Sequence, residues 1–325
     1  MTILITGATG FIGSHLTELL LREGHRVRAI ARYNGRGDIG HLSALPPELL
    51  DQLDIRFGDV TDTFLMRDLV ASCDIVLHLA ALIGIPYSYT APASYVATNV
   101  SGTLNILEAC RQAKVRRVII TSTSEVYGTA LYTPIDEKHP LQGQSPYAAS
   151  KIGADKLAES YFRSFDLPVV TLRPFNTFGP RQSARAIIPT VLVQALGGAD
   201  EIELGNLQTK RDFTFVTDIA RAFLLALTAP DIDGETIHFG QGEAVSIGEI
   251  AAVCLKIVGS QAKIVSGERR LRPEKSEVGL LLCDSTRARA MLGWTPEVSF
   301  EKGVALTADY LSSHLSHYKA GDYTI

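Results

Sequence analysis

Cysteine is scarce in this 325-residue sequence: there are four, Cys73, Cys110, Cys254 and Cys283, and no two form a C-x-x-C pair. That spacing argues against a zinc ribbon, any other metal site and a disulfide framework, and leads to the expectation of reduced thiols in a soluble cytoplasmic protein. No apolar run reaches the ~20 residues needed to span a bilayer. The opening Met1-Thr2-Ile3-Leu4-Ile5-Thr6 enters a strand pattern without a basic leader, so no membrane partner is expected. Charge of one sign is not in excess either, with 31 Lys and Arg against 35 Asp and Glu, net −4, and the basic residues scattered. Duplex nucleic acid requires a basic footprint and is not an expected partner. Internal repeats, low-complexity blocks and a Pro- or Gly-rich linker are also missing, and 46% hydrophobic with 20% charged residues is the composition of a folded chain.

What is present reads as alternation. Short β-branched runs at Ile3–Thr6, Arg26–Ile30, Asp54–Phe57, Ile75–Leu79, Arg117–Thr121 and Val169–Leu172 are separated by helical patterns at Phe11–Arg22, about 93–113 and about 146–164. Strands that are apolar throughout, with helices between them, predict an α/β fold with a doubly wound parallel sheet of Rossmann type. After about Phe175 the elements shorten, with helical patterns near 187–196, 217–227 and 247–258, which predicts a smaller α+β lobe. The expected division is therefore 1–175 and 176–325, with a cleft between lobes as the ligand site.

Gly7-Ala8-Thr9-Gly10-Phe11-Ile12-Gly13 follows the first strand directly and opens a helix. Glycine there tolerates unusual backbone angles and lets the chain approach a pyrophosphate seated at the positive helix end, which predicts a dinucleotide site. A tight turn with no ligand is the plainer alternative. The second strand ends Ala29-Ile30-Ala31-Arg32-Tyr33-Asn34, without the carboxylate that grips the ribose hydroxyls of NAD. Arg32 reads either as a partner for the 2′-phosphate of NADP or as a solvated loop arginine. Asp59, after the third strand, offers a carboxylate to the adenine amine.

Tyr147 and Lys151 stand at i, i+4 on one face of a predicted helix, where an ammonium favours the phenolate of a neighbouring tyrosine. Such a pair is common on helix surfaces. Upstream, however, Thr121-Ser122-Thr123-Ser124-Glu125-Val126-Tyr127-Gly128 ends a buried strand with hydroxyls and a carboxylate, at the sheet edge where open α/β folds bind ligands. His78, closing a strand, reads as a packed histidine rather than a base.

Together with Leu77-His78-Leu79-Ala80-Ala81, Asn99-Val-x-Gly-Thr103 and Arg173-Pro-Phe-Asn176, these motifs resemble the extended short-chain dehydrogenase/reductases, the NAD(P)-dependent nucleotide-sugar epimerases and dehydratases, over nearly the whole chain. The segments from Pro134 to Tyr147, Arg181-Gln-Ser-Ala-Arg185 and Arg272-Pro-Glu-Lys-Ser-Glu-Val278 resemble UDP-N-acetylglucosamine 4,6-dehydratases of legionaminic acid pathways. The resemblance implies that Gly7, Gly10, Phe11, Ile12, Gly13, Arg32, Asp59, Val60, Leu79, Ala80, Ala81 and Asn99 line a tightly bound NAD(P), with Lys151 on the nicotinamide ribose. It implies that Thr123 binds the sugar 4-hydroxyl, Tyr147 takes its proton and Glu125 removes the C5 proton. Ser124 stands in the catalytic triplet where dehydratases of the TDP-glucose type carry an acid. Asn176, Arg181, Arg211 and Arg272 are implied to contact the nucleotide diphosphate of a UDP-linked sugar, and the patterns at 93–113 and 146–164 to form a homodimer interface. A 4-epimerase, a GDP-mannose-type dehydratase, a UDP-glucuronate decarboxylase and a non-catalytic dinucleotide sensor are the alternatives.

Overall fold

The computed structural model describes residues 1–267 and 273–318. In the first half, strands β1 (Thr2–Thr6), β2 (Arg26–Ala31), β3 (Asp54–Phe57), β4 (Ile75–His78), β5 (Arg117–Thr121) and β6 (Val169–Pro174) fall where the alternation predicts them. The second half adds β7 (Asn176–Phe178), β8 (Glu201–Leu204), β9 (Lys210–Phe215), β10 (Thr236–Phe239), β11 (Ala244–Ser246), β12 (Lys263–Ser266) and β13 (Leu280–Leu281). The main sheet has seven parallel strands in the order β10-β6-β5-β4-β1-β2-β3.

Alternation along each strand explains why both faces are covered. On β1, Ile3 and Ile5 enter one core while Leu4 enters the other; on β5, Ile119 goes one way and Val118 and Ile120 the other. The helices, in chain order, are α1 (Phe11–Arg22), α2 (Pro47–Leu50), α3 (Thr63–Val70), α4 (Ile85–Thr90), α5 (Pro92–Tyr95), α6 (Gly102–Ala113), α7 (Pro146–Phe165), α8 (Ile187–Leu196), α9 (Val216–Ala226), α10 (Ile247–Val258), α11 (Thr286–Leu292) and α12 (Phe300–Ser313). Leu16 and Leu20 of α1, Phe223 of α9 and Leu292 of α11 pack on the Ile3/Ile5 face, and Met66 of α3, Ile106 of α6 and Ala158 of α7 on the other.

Two features depart from the sequence-based expectation. The helix over 93–113 is α5 and α6 joined by a π-helical stretch, Val96–Ser101, and π segments are frequent where a helix must aim a side chain at a site. The chain beyond residue 175 also does not stay in the second lobe: α9 packs on α1, and β10 returns to pair with β6 at the edge of the main sheet. The sole tryptophan, Trp294, holds this return in place, donating its indole N–H to the Asp218 carbonyl at 2.8 Å and meeting Phe239 edge-on. The second lobe consists of β11-β9-β13 with β7 on β9, and the pair β12-β8, packed under α8, α10 and α12.

Candidate active site

The glycine turn is closed by contacts that only glycine permits. Gly7 has φ +71°, and a Cβ built on it would lie 2.7 Å from the Ala80 amide nitrogen, while one on Gly13 would lie 2.1 Å from the Gly7 carbonyl oxygen. The turn therefore presses against Leu79 and Ala80 at the end of β4. Gly10 caps α1 without a side-chain hydrogen bond, and the first turn has no acidic residue, so the positive helix end is left for an anion. This cradle fits a dinucleotide pyrophosphate. Phe11 and Ile12 reach past it and pack against the core of the second lobe.

At the rim, Arg32 and Asp59 approach each other, with Nε 3.5 Å from Oδ2. Burial would raise the Asp59 carboxyl, but the Thr61 amide and hydroxyl and the Arg32 guanidinium outweigh it and hold it below the usual aspartate value. Val60 beside it is buried, its carbonyl accepting from the Asn105 amide at 3.0 Å.

The floor is a chain of hydroxyls around His78. Thr6 Oγ1 accepts from the Ala80 amide and lies 2.8 Å from His78 Nδ1; His78 Nε2 lies 3.1 Å from Thr103 Oγ1, which donates to the Asn99 carbonyl. Burial lowers the histidine to about 3, so it is the neutral, packed residue the sequence suggests and no base. Asn99, expected among the cofactor contacts, has its polar atoms engaged within the protein. Its Oδ1 accepts from the Leu82 amide, and its Nδ2 donates to the Leu82 carbonyl and to Ser150. It acts as a bracket that holds the loop through Leu79, Ala80 and Ala81 against α7.

The predicted acid–base residues meet at the C-terminal ends of β5 and β6. A 3-10 turn, Ser124–Tyr127, follows β5, and Thr123 caps it by accepting from the Glu125 amide at 3.2 Å. Thr123 also hydrogen-bonds the Tyr147 phenol, and Glu125 lies near enough to act on that phenol electrostatically. Thr123 and Glu125 are half-buried, whereas Ser124 between them is only 3% exposed. The turn thus directs Ser124, expected with the catalytic group, inward. Tyr147 leads α7, whose N-cap Ser145 accepts from the Ala148 amide. Burial raises the Tyr147 phenol well above its ordinary value, with Thr123 opposing. The expected lowering by Lys151 is not the dominant influence, because Lys151 Nζ donates to the Thr121 carbonyl at 2.7 Å. Burial in turn lowers the lysine itself, against the attraction of Asp155.

Of the residues expected around a nucleotide diphosphate, Asn176 begins β7 with a buried Oδ1 that has no hydrogen-bond partner among the described residues and suits a ligand donor. Arg211 on β9 is buried, donates to the Lys210 carbonyl and sits 3.7 Å from Glu277. Arg181 adopts φ +68° and turns to α1, donating to Glu18 at 2.8 Å. Arg272 lies outside the described residues. Among the described residues no cluster of His, Cys, Asp and Glu suits a metal ion, and no helix is long and apolar enough to cross a membrane.

Sequence reasoning missed what lies behind the site. Asp155, Arg173, Tyr127 and His238 form a buried polar network; only the i, i+4 spacing of Asp155 from Lys151 on α7 hinted at it.

Comparison with known proteins agrees with this geometry. The family described as GDP-mannose 4,6 dehydratase matches residues 4–307. A dTDP-glucose 4,6-dehydratase of an Actinoplanes species is 33% identical, covering 97% of this chain and 99% of its own. A UDP-glucose 4-epimerase of Mycolicibacterium smegmatis is 32% identical, covering 95% and 98%. Among solved structures, the UDP-glucuronic acid 4-epimerase from Bacillus cereus in complex with UDP-glucuronic acid and NAD superposes with TM-score 0.87 at 31% identity, covering 97% of this chain and 100% of that one. A glycine cradle, a Thr–Tyr–Lys centre and similarity over the full length of these enzymes lead to one conclusion: the chain belongs to the extended short-chain dehydrogenase/reductase family of NAD-dependent nucleotide-sugar dehydratases and epimerases.

Proposed function

We propose that the protein is a 4,6-dehydratase that converts UDP-N-acetylglucosamine to the UDP-linked 4-keto-6-deoxy sugar. The observation that carries this reading is Glu125, a half-buried carboxylate on the turn that also bears Thr123, close enough to act electrostatically on Tyr147. The preference for UDP-N-acetylglucosamine rests on the likeness of residues 134–147, 181–185 and 272–278 to enzymes of legionaminic acid pathways. Residues 1–175 supply most of the dinucleotide cradle and 176–325 the nucleotide end of the sugar substrate.

A bound nicotinamide dinucleotide would take hydride from C4 and give it back at C6, with a solvent proton returning to C5, and would be unchanged over a turnover. Thr123 orients the sugar 4-hydroxyl and Tyr147 accepts its proton. Lys151, fixed on the Thr121 carbonyl, holds its positive charge beneath the site. The 4-ketone acidifies the C5 proton, which Glu125 removes. Because Ser124 is turned inward, Glu125 is also the group that protonates the departing 6-hydroxyl. Arg211 and the side-chain N–H of Asn176 bind the diphosphate, leaving Asn176 Oδ1 to accept from a hydroxyl or amide of the substrate. Arg32, directly after a β2 that ends without a carboxylate, favours NADP over NAD. The four free cysteines suit a reducing cytoplasm, and α6 and α7 supply the face for a homodimer.

Incubation with UDP-N-acetylglucosamine, GDP-mannose and UDP-glucose in turn, followed by mass spectrometry, tests the reading. Loss of one water from the first substrate alone is the expected result. The same Thr123, Tyr147 and Lys151 serve 4-epimerisation, and isomerisation without mass change would replace the dehydratase reading with that one.

A further inference from the structure

The guanidinium of Arg173, on β6, is buried and bonds to neighbours of both proposed acid–base groups. Its Nη2 donates to Asp155 Oδ2 at 2.6 Å, and its Nε donates to Ser122 Oγ at 3.2 Å. Its Nη1 donates to the Tyr127 hydroxyl, and the cation also lies 4.9 Å from the Tyr127 ring centre. Ser122 closes the loop by donating to Asp155 at 2.6 Å. The Tyr127 hydroxyl in turn donates a hydrogen bond to His238 Nε2 at 2.6 Å, and burial keeps that histidine neutral.

The sequence positions of these partners give the network its meaning. Ser122 and Tyr127 bracket the turn that carries Thr123 and Glu125. Asp155 lies one helical turn beyond Lys151 and two beyond Tyr147 on α7. One planar, rigid cation is therefore bonded at once to the segment that bears the C5 base and to the helix that bears the C4 base. The ion pair with Asp155 is buried on both sides, where desolvation offsets much of its attraction, so its retention points to geometry rather than to stability.

We infer that Arg173 is a positioning residue that sets the turn 122–127 against α7, and that its two branches govern different chemical steps. The Asp155 branch serves proton acceptance by Tyr147 at the 4-hydroxyl. The Tyr127 branch serves proton removal from C5 by Glu125. This division rests on the dehydratase reading, since only that reaction uses a C5 base.

The test compares Tyr127→Phe and Asp155→Asn with the parent protein in heavy water with UDP-N-acetylglucosamine. Near-ultraviolet absorbance of reduced cofactor in a single turnover reports C4 oxidation, mass spectrometry reports deuterium at C5, and calorimetry with UDP reports the binding site. Displacement of a reacting group by about an ångström costs on the order of a hundredfold. Tyr127→Phe should slow C5 deuterium entry by roughly tenfold to a hundredfold, and C4 oxidation, which takes only Thr123 from that turn, by a clearly smaller factor. Asp155→Asn should slow C4 oxidation, with UDP affinity unchanged. Equal slowing of both steps in Tyr127→Phe, or no slowing of either, overturns the inference. Tyr127→Phe strands no charge and decides the matter even if Asp155→Asn fails to fold. If the parent itself oxidises the sugar but takes up no C5 deuterium, the dehydratase reading fails and the Tyr127 branch with it, while the Asp155 branch is still judged on C4 oxidation.

Discussion

Arg181 and Glu18, 163 positions apart, meet at 2.8 Å where the first residues of the second lobe cross helix α1. The neighbouring His15 lies 2.9 Å from the Pro180 carbonyl, so two successive residues are tied to the same helix. Arg181→Ala is expected to lower stability by about 1–3 kcal/mol, the range for a partly buried charged hydrogen bond, and to leave UDP affinity nearly unchanged. Because residue 181 has φ +68°, Arg181→Gly relieves backbone strain and should lose less stability than the alanine variant. A large loss of UDP affinity in either variant would return Arg181 to the binding site.

Acid should destabilise the fold through its buried histidines. Burial lowers His15 to about 4 and His78 to about 3, and places His238 well below the ordinary value of 6.5. Each folded value lies below the unfolded one, so this stability is present above about pH 6.5 and is lost as the pH falls toward the folded values, by ~2 kcal/mol per histidine at pH 5. Asp212 works in the opposite sense. Burial raises it to about 6, so its contribution is present at low pH and lost as the pH rises through that value. Glu137 and Asp218, also raised by burial, act as Asp212 does, and His25 and His41 as the other histidines, so five groups against three leave a net loss on acidification. Urea midpoints at about pH 7.5 and about pH 5 measure it, and a midpoint that holds or rises would refute it.

The contact between Arg32 and Asp59 makes cofactor choice a competition for one guanidinium. Arg32→Ala should weaken NADP more than NAD in fluorescence titration of stripped protein. Asp59→Asn, by removing the rival carboxylate, should shift preference toward NADP by a fewfold, as suits an exposed pair. Equal effects on the two cofactors in both variants would make Arg32 a solvated bystander.

Glu125→Gln keeps the shape of the side chain and one accepting oxygen but removes the base. It should still oxidise C4, accumulate reduced cofactor on addition of substrate, and incorporate no deuterium at C5, with turnover down ~10²–10⁴-fold. Dehydration at the parent rate would make Glu125 idle.

The parts of this molecule that are legible in sequence are those where one local stretch contains the whole reason. The turn from Gly7 to Gly13 directly joins a strand to a helix, and Tyr147 and Lys151 share a helix face, so each is readable from neighbours. The bond of Arg181 to Glu18 was not legible, because its partner lies on α1 and its backbone conformation is unusual for arginine. The inward direction of Ser124 was not legible, because a 3-10 turn does not show itself in spacing. The Arg173 network was missed because its bonds span 18 and 46 residues, and that between Tyr127 and His238 spans 111.

The return of β10 to the main sheet bears on how the protein is made. A ribosome that has released residues 1–175 has produced the whole glycine cradle and both catalytic elements, yet β6 still lacks its outer neighbour at Thr236–Phe239. The core on the Ile3/Ile5 face also waits for Phe223 and Trp294. The nascent chain must therefore remain open, its sheet edge and apolar face exposed, until nearly all of it has been synthesised. Joining two lobes through a late strand gives the cell one cooperative enzyme, and a long interval in which chaperones have an edge to guard.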